Sequence, residues 1–199
     1  IDAAKHPALF MVDGVASVGC MPFEMDAWGV DIAMTGSQKG LMTPPGLAFV
    51  MANDKAHEAH KTANMKTMYW DWTFRQGAEH YHKYCGTPPE HLLFGLRAAL
   101  DILFEEGLEA AWKRHALLAG ATHAAVAKWA EGQVLSFNIL EPSQRSASVT
   151  NVLTGNLDPK VLTKYCLDTC NVTLGHGIGD IAVIPRTHGV SSSFFCGPP

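Results

Sequence analysis

Residues 28–50 read WGVDIAMTGSQKGLMTPPGLAFV, two apolar runs flanking a loop of small and hydroxyl-bearing residues built around one lysine. The first run (28–36) and the second (46–54, GLAFVMAND) are short and end in glycine or polar residues. Strands buried on both faces read this way. Upstream, residues 8–14 (ALFMVDG) repeat the pattern and empty into Asp13 and Gly14. Three apolar strands with short βα-type links predict an α/β sheet. Residues 15–27 between the first two strands read as loop with at most a turn of helix.

From Pro88 the period lengthens. Residues 88–130 place apolar side chains at three- and four-residue spacing, which predicts helix. Pro88 and Pro89 suit a helix start, and Gly107 divides the stretch into two helices. After Gly132 come two strand-like pieces, VLSFNIL (134–140) and SVTNVLTG (148–155), then a helix over 158–168. Asp158 followed by Pro159 is a cap and first-turn pair. The tail therefore reads as a small α/β domain joined to the rest by the helix near Gly107.

The chain has 199 residues, 47% of them hydrophobic, enough for one large domain or two small ones with a real core. A formal net charge of −4 leaves no electrostatic footprint for nucleic acid or an anionic membrane. Small-molecule chemistry or protein partners are favoured instead. No apolar run approaches the roughly 20 residues that span a bilayer. Five scattered cysteines form no disulfide framework, so a reducing, cytoplasmic setting is expected. The chain opens without Met and runs almost at once into a strand, as a segment of a longer protein would.

Several residues have two readings each. Asp13 stands where open α/β sheets place ligand-binding residues, or it simply shapes a turn beside Gly14. Lys39 is either a solvated surface charge or a desolvated amine acting as nucleophile or Schiff-base former. Thr35, Ser37 and Gln38 could hold an anionic group beside such an amine. The loop is not a Walker A sequence, because the leading glycine spacing and the hydroxyl after the lysine are missing. HEAH (57–60) and HYH (80–82), with Cys85 nearby, invite a metal-binding reading against one of solvated histidines. The first lacks the spacing that sets two ligands on one helical face, and no metal site is assigned. YWDWTFRQG (69–77) reads as an aromatic loop that could line a pocket or a subunit contact. Tyr84 and Thr87, just before a helix start, are either phosphate-binding groups or an interface aromatic and an ordinary cap.

Taken together, VDGVASVG (12–19), residues 28–50 and YCGTPPEHLLFGLRAALDILFEEGLE (84–109) resemble the class V pyridoxal-phosphate aminotransferases, in the alanine–glyoxylate and serine–glyoxylate branch. The resemblance covers most of the chain up to about Arg114. It implies the fold type I architecture of these enzymes: an α/β fold whose large domain carries a mostly parallel sheet, followed by a small C-terminal α/β domain. Residues 1–108 would be the later part of the large domain and 109–199 the small one. The resemblance implies pyridoxal 5'-phosphate as cofactor and gives each residue a role. Lys39 matches the Schiff-base lysine that later shuttles the substrate's α-proton. Asp13 matches the acid paired with the protonated ring nitrogen, which keeps the ring an electron sink. Val15 matches the residue packed on one ring face, and Gln38 a polar cofactor contact. Tyr84 and Thr87 match residues that reach the phosphate of the neighbouring subunit's cofactor, which implies a homodimer with shared active sites.

The expected activity is transfer of an amino group from alanine or serine to glyoxylate or a related 2-oxo acid. Alternatives on the same fold are a transaminase of pyridoxamine or an aminophosphonate, or a class V lyase. A cysteine desulfurase fits less well, since Gln38 stands where those enzymes carry histidine. From other classes come a non-catalytic protein that keeps the fold for binding or assembly, and a metal module on His57, His60, His80 and His82. The resemblance also implies that glycine-rich and aromatic cofactor contacts lie upstream of Ile1, so residues 1–199 alone are expected to lack turnover. LGHGIGDI (174–181) suits the family, but IPRTHGVSS (184–192) stands in place of its substrate-carboxylate arginine motif. A reading-frame slip shortly after Ile181 would account for that text and for the SSSFFCGPP ending, and Arg186 is not assigned as the carboxylate clamp.

Overall fold

A computed structural model describes residues 1–175 and 191–195. The chain divides into two compact units, Ile1–Gly107 and Leu108–Pro199. Residues 176–190 and 196–199, which include Arg186 and most of the atypical ending, lie outside the described residues.

The first unit is built on three strands in the order β1 (Met11–Asp13), β2 (Ile32–Gly36), β3 (Ala48–Ala52). β1 runs parallel to β2, with Asp13 opposite Met34. β3 runs antiparallel to β2, from Ile32 opposite Ala52 to Gly36 opposite Ala48. The direction of β3 follows from its link. A parallel partner needs a crossover, usually helical, and residues 37–47 instead form a tight loop with no helix. β2 is the buried centre, with Ile32 and Ala33 both buried; Val30, Ala56, Ala99 and Leu103 are also buried in this unit.

β3 ends where sequence reading placed an Asn–Asp stop, and the same residues start a helix. The Asn53 side chain accepts the Ala56 N–H at 3.0 Å and caps α1 (Asp54–Lys61). The aromatic stretch read as loop contains a one-turn helix, α2 (Trp72–Arg75), capped by the Asp71 side chain. A second short helix, α3 (His80–Tyr84), ends on Cys85 in the left-handed region at φ 53°. The long helix α4 (Glu90–Glu106) starts behind Pro88 and Pro89 as the sequence predicts, and Gly107 ends it at φ 86°.

The second unit holds α5 (Leu108–Ala130) and an antiparallel sheet in the order β4 (Ser136–Phe137), β5 (Val149–Leu153), β6 (Ser191–Phe195). A further helix, α6 (Pro159–Cys170), begins with the Asp158 carboxylate accepting the Lys160 N–H at 2.9 Å, the cap expected from Asp-Pro. Ala111, Ala119, Val126, Val152 and Leu174 form its buried apolar positions.

Candidate active site

The carboxyl ends of the parallel pair β1–β2 bring Asp13 and the Lys39 loop to one end of the sheet. Asp13 is the last residue of β1, and the next residue, Gly14, donates its N–H to Met34 O on β2 at 2.9 Å. The Asp13 carboxylate is exposed and accepts the Val15 N–H on Oδ1 at 2.9 Å. Val15 itself is half-buried.

The loop over residues 37–47 is closed by its own hydrogen bonds. Lys39 N–H donates to Gly36 O at 3.3 Å, and Met42 N–H donates to Lys39 O at 2.9 Å, so Lys39 sits between two successive turns. Thr43 N–H returns to Ser37 O at 2.8 Å, and Ser37 N–H reaches Leu47 O at 3.0 Å. The fully buried Ser37 hydroxyl donates to Pro44 O at 2.7 Å and accepts the Leu47 N–H at 3.2 Å. The Lys39 side chain is half-buried. Gln38 is exposed and folds back on Gly36, where a Cβ would come within 2.8 Å of its Oε1.

Glycine holds the two loops together. Gly19, at φ 87°, packs its backbone on Gly40, the residue after Lys39, and a Cβ on Gly19 would come within 2.8 Å of Gly40 O. A Cβ on Gly40 would in turn run into Val18 O. The Asp13 loop and the Lys39 loop thus meet backbone to backbone, closer than any side chain permits. At the far end of the lysine loop, Gly46 lies against Leu92 of α4, which accounts for the glycine after the two prolines.

Tyr84 and Thr87 stand on other elements, the end of α3 and the turn before α4. Tyr84 is half-buried and Thr87 exposed. Thr87 does not cap α4, whose cap position is Pro89 without a side-chain bond. Among the described residues no hydrogen bond joins either one to Asp13, Val15 or Gln38.

The histidines pack on aromatic rings. His60 stacks on Trp72 at 5.2 Å between centroids, and His57 meets the same ring edge-on at 5.4 Å. His60 Nε2 lies 3.0 Å from Asp71 Oδ1. Partial burial pushes Asp71 upward, but His60 and the N–H groups of Phe74 and Thr73 outweigh it and hold its carboxyl below the ordinary range. His82 lies between Phe74 and Tyr81. Among the described residues no group of three or more His, Cys, Asp or Glu gathers to hold a metal ion.

One polar centre escaped sequence reading. Asp31, at the amino end of β2, is 3% exposed and accepts from Phe10 N–H (2.7 Å), Asn53 Nδ2 (2.8 Å) and Lys55 Nζ (3.0 Å). The Phe10 N–H first, then Asn53 and Lys55, hold its carboxyl down at about 2. Its signal was an acid inside an apolar run, followed 22 residues on by Asn-Asp-Lys.

The profile of the aminotransferase class-V family matches residues 1–192. The chain is 42% identical over 185 residues to the L-aspartate–glyoxylate aminotransferase of Paracoccus denitrificans, covering 92% of this chain and 45% of that one. It is 42% identical over 190 residues to the serine–glyoxylate aminotransferase of Methylorubrum extorquens, covering 92% and 46%. The alanine–glyoxylate aminotransferase of a Nostoc species superposes with a TM-score of 0.72 at 30% identity, covering 94% of this chain and 48% of that structure. The chain thus spans under half the length of these relatives. Among the described residues no helix is long and apolar enough to cross a membrane.

Proposed function

Because this chain belongs to the class-V aminotransferase family, we propose that the full-length protein moves an amino group from serine or alanine to glyoxylate or a related 2-oxo acid. The two curated relatives differ in donor by name and share glyoxylate, which supports that acceptor. The observation that carries the reading is the meeting of the Asp13 loop with the Lys39 loop through Gly19 and Gly40. A carboxylate and an amine at one end of the sheet are the complements of a basic ring nitrogen and an aldehyde, so the donor set fits pyridoxal 5'-phosphate. When bound, that cofactor supplies an aldehyde that takes up the amino group and a protonated ring that stores the electron pair freed at the substrate α-carbon.

This chain's residues do the rest. Asp13 accepts a hydrogen bond from the protonated ring nitrogen, and the N–H of Val15 on Oδ1 keeps that carboxylate aimed. Val15 packs against the ring and Gln38 offers an amide to a polar group of the cofactor. Lys39 Nζ anchors the aldehyde and, once released, carries the substrate's α-proton. Tyr84 and Thr87 serve the phosphate of the neighbouring subunit's site, so the active unit is a homodimer. Free thiols at Cys85, Cys166 and Cys170 suit a reducing, cytoplasmic setting.

The test is covalent mapping. Full-length protein loaded with cofactor and treated with borohydride should carry the label on the peptide containing Lys39, and a Lys39→Ala variant should carry none. A label on another lysine, or none on the wild type, overturns the assignment.

A further inference from the structure

We propose that Ser37 is a positioning residue, the clasp that fixes the Lys39 backbone and thereby the aim of its amine. The proposal rests on Lys39 being the residue that captures the cofactor aldehyde. Ser37 makes four hydrogen bonds across the neck of the loop. Two use its backbone, with Leu47 O and Thr43 N–H, and two its hydroxyl, with Pro44 O and Leu47 N–H. The hydroxyl is fully buried, so no water replaces it when it is removed. Pro44 and Pro45 lack an N–H, so these two residues can join this network only through their carbonyl groups. Ser37 Oγ donates to one of these. Without the hydroxyl, the loop keeps its outer pairing through Ser37 N–H and O but loses the cross-tie that stops the Pro44–Leu47 limb from sliding along it.

Lys39 lies two residues from the clasp, between turns closed by Gly36 O and Met42 N–H. Looseness at Ser37 therefore becomes misdirection at Nζ, while the Asp13 side of the site, held by Val15 N–H and Gly14 N–H, is left as it was. Capture joins Nζ to the aldehyde carbon and releases the aldehyde oxygen as water, so it depends on approach angle. Binding of a ligand without an aldehyde does not.

Ser37→Ala in the full-length protein separates these. The rate of aldehyde capture, followed by absorbance after mixing with pyridoxal 5'-phosphate, should fall about ten-fold, the size expected for one buried hydrogen-bonding group. The dissociation constant for pyridoxine 5'-phosphate, which has no aldehyde, should stay within about two-fold, and Ser37→Thr should restore most of the capture rate. Equal weakening toward both ligands, or unchanged capture, overturns the proposal. If Ser37→Ala does not fold, hydrogen exchange at Leu47 in Ser37→Cys decides: faster exchange there with β2 amides still protected supports the clasp, and unchanged exchange removes it. Wild-type protein that binds pyridoxine 5'-phosphate yet captures no aldehyde would condemn the role of Lys39 instead, a separate outcome.

Discussion

At the amino end of β2 the buried Asp31 carboxylate has a partner from each neighbouring piece of chain: Phe10 before β1, Asn53 after β3 and Lys55 in α1. At the carboxyl end of the same sheet the Asp13 carboxylate is exposed, and the buried Thr35 hydroxyl has no partner among the described residues. One end pays for a buried charge with complete pairing, and the other leaves polar groups unspent. Open α/β sheets put their chemistry at the carboxyl end of the strands, and here the polar accounting differs along a single five-residue strand. Paired charge gives stability; unpaired groups keep something to offer a ligand.

The sharpest way to break that contrast is to exchange its consequences. On the proposed reading, Lys39→Ala in the full-length protein should cut turnover about a thousand-fold or more while urea unfolding moves little, since it removes the proposed proton-transfer group from a half-buried loop position. Asp31→Ala should do the reverse. It strands the Phe10 N–H and the Asn53 amide, while the half-exposed Lys55 ammonium can turn to Asp2 and water. Losing the bonds that these two part-buried donors give to a charged acceptor costs about 3 kcal/mol, with turnover per folded molecule unchanged. An Asp31 variant that loses rate without losing stability would place chemistry at the wrong end.

The charge on Asp31 also leaves a mark on pH dependence. Its carboxyl is held at about 2 against an ordinary 3.8, so it stabilises the fold above the unfolded value. That contribution drains away as pH falls from about 4 through about 2. Asp31→Asn should flatten the unfolding free energy across that window and leave the profile above it parallel to wild type. A slope that survives the substitution would assign acid sensitivity elsewhere.

A smaller effect is expected where the two loops touch. Gly19→Ala puts a Cβ against Gly40 O and keeps a non-glycine residue at φ 87°. The strain is about 1–2 kcal/mol, and it falls on the contact that holds the Asp13 loop beside Lys39. Cofactor affinity should drop more than stability does. Equal affinity in the variant would mean that the two loops are held by something other than this contact.

How much of this was legible beforehand follows from what each pattern depends on. The three strands, the break at Gly107, and the Asp158–Pro159 cap are local signals, and the structure carries each of them. Lys39 and Asp13 take on their proposed roles only in company, because a lysine in a loop and an aspartate beside glycine are ordinary alone. What sequence reading missed is non-local. Whether β3 returns antiparallel depends on hydrogen bonds between Ser37 and residues 43–47 that no periodicity announces. Asp31 gives no local signal inside its apolar run, because its partners lie 21 to 24 residues away on both sides. Asn53 reads as a strand stop, and the same residue that follows β3 also caps α1.

The finest prediction concerns Thr35. Its Oγ1 is buried without a partner, and the residue is 4% exposed. Exchange of threonine for valine normally costs stability, because a buried hydroxyl usually has a hydrogen bond to lose. Here there is none within the described residues, and the valine methyl occupies the same volume in a strand, where β-branched side chains are favoured. Thr35→Val should therefore lie within about 0.5 kcal/mol of wild type, or slightly above it, in urea unfolding. A loss of more than about 1 kcal/mol would show that the hydroxyl is already paired. The buried hydroxyls at the carboxyl end of β2 would then be as fully satisfied as the Asp31 end, and the contrast between them would rest on the exposure of Asp13 alone.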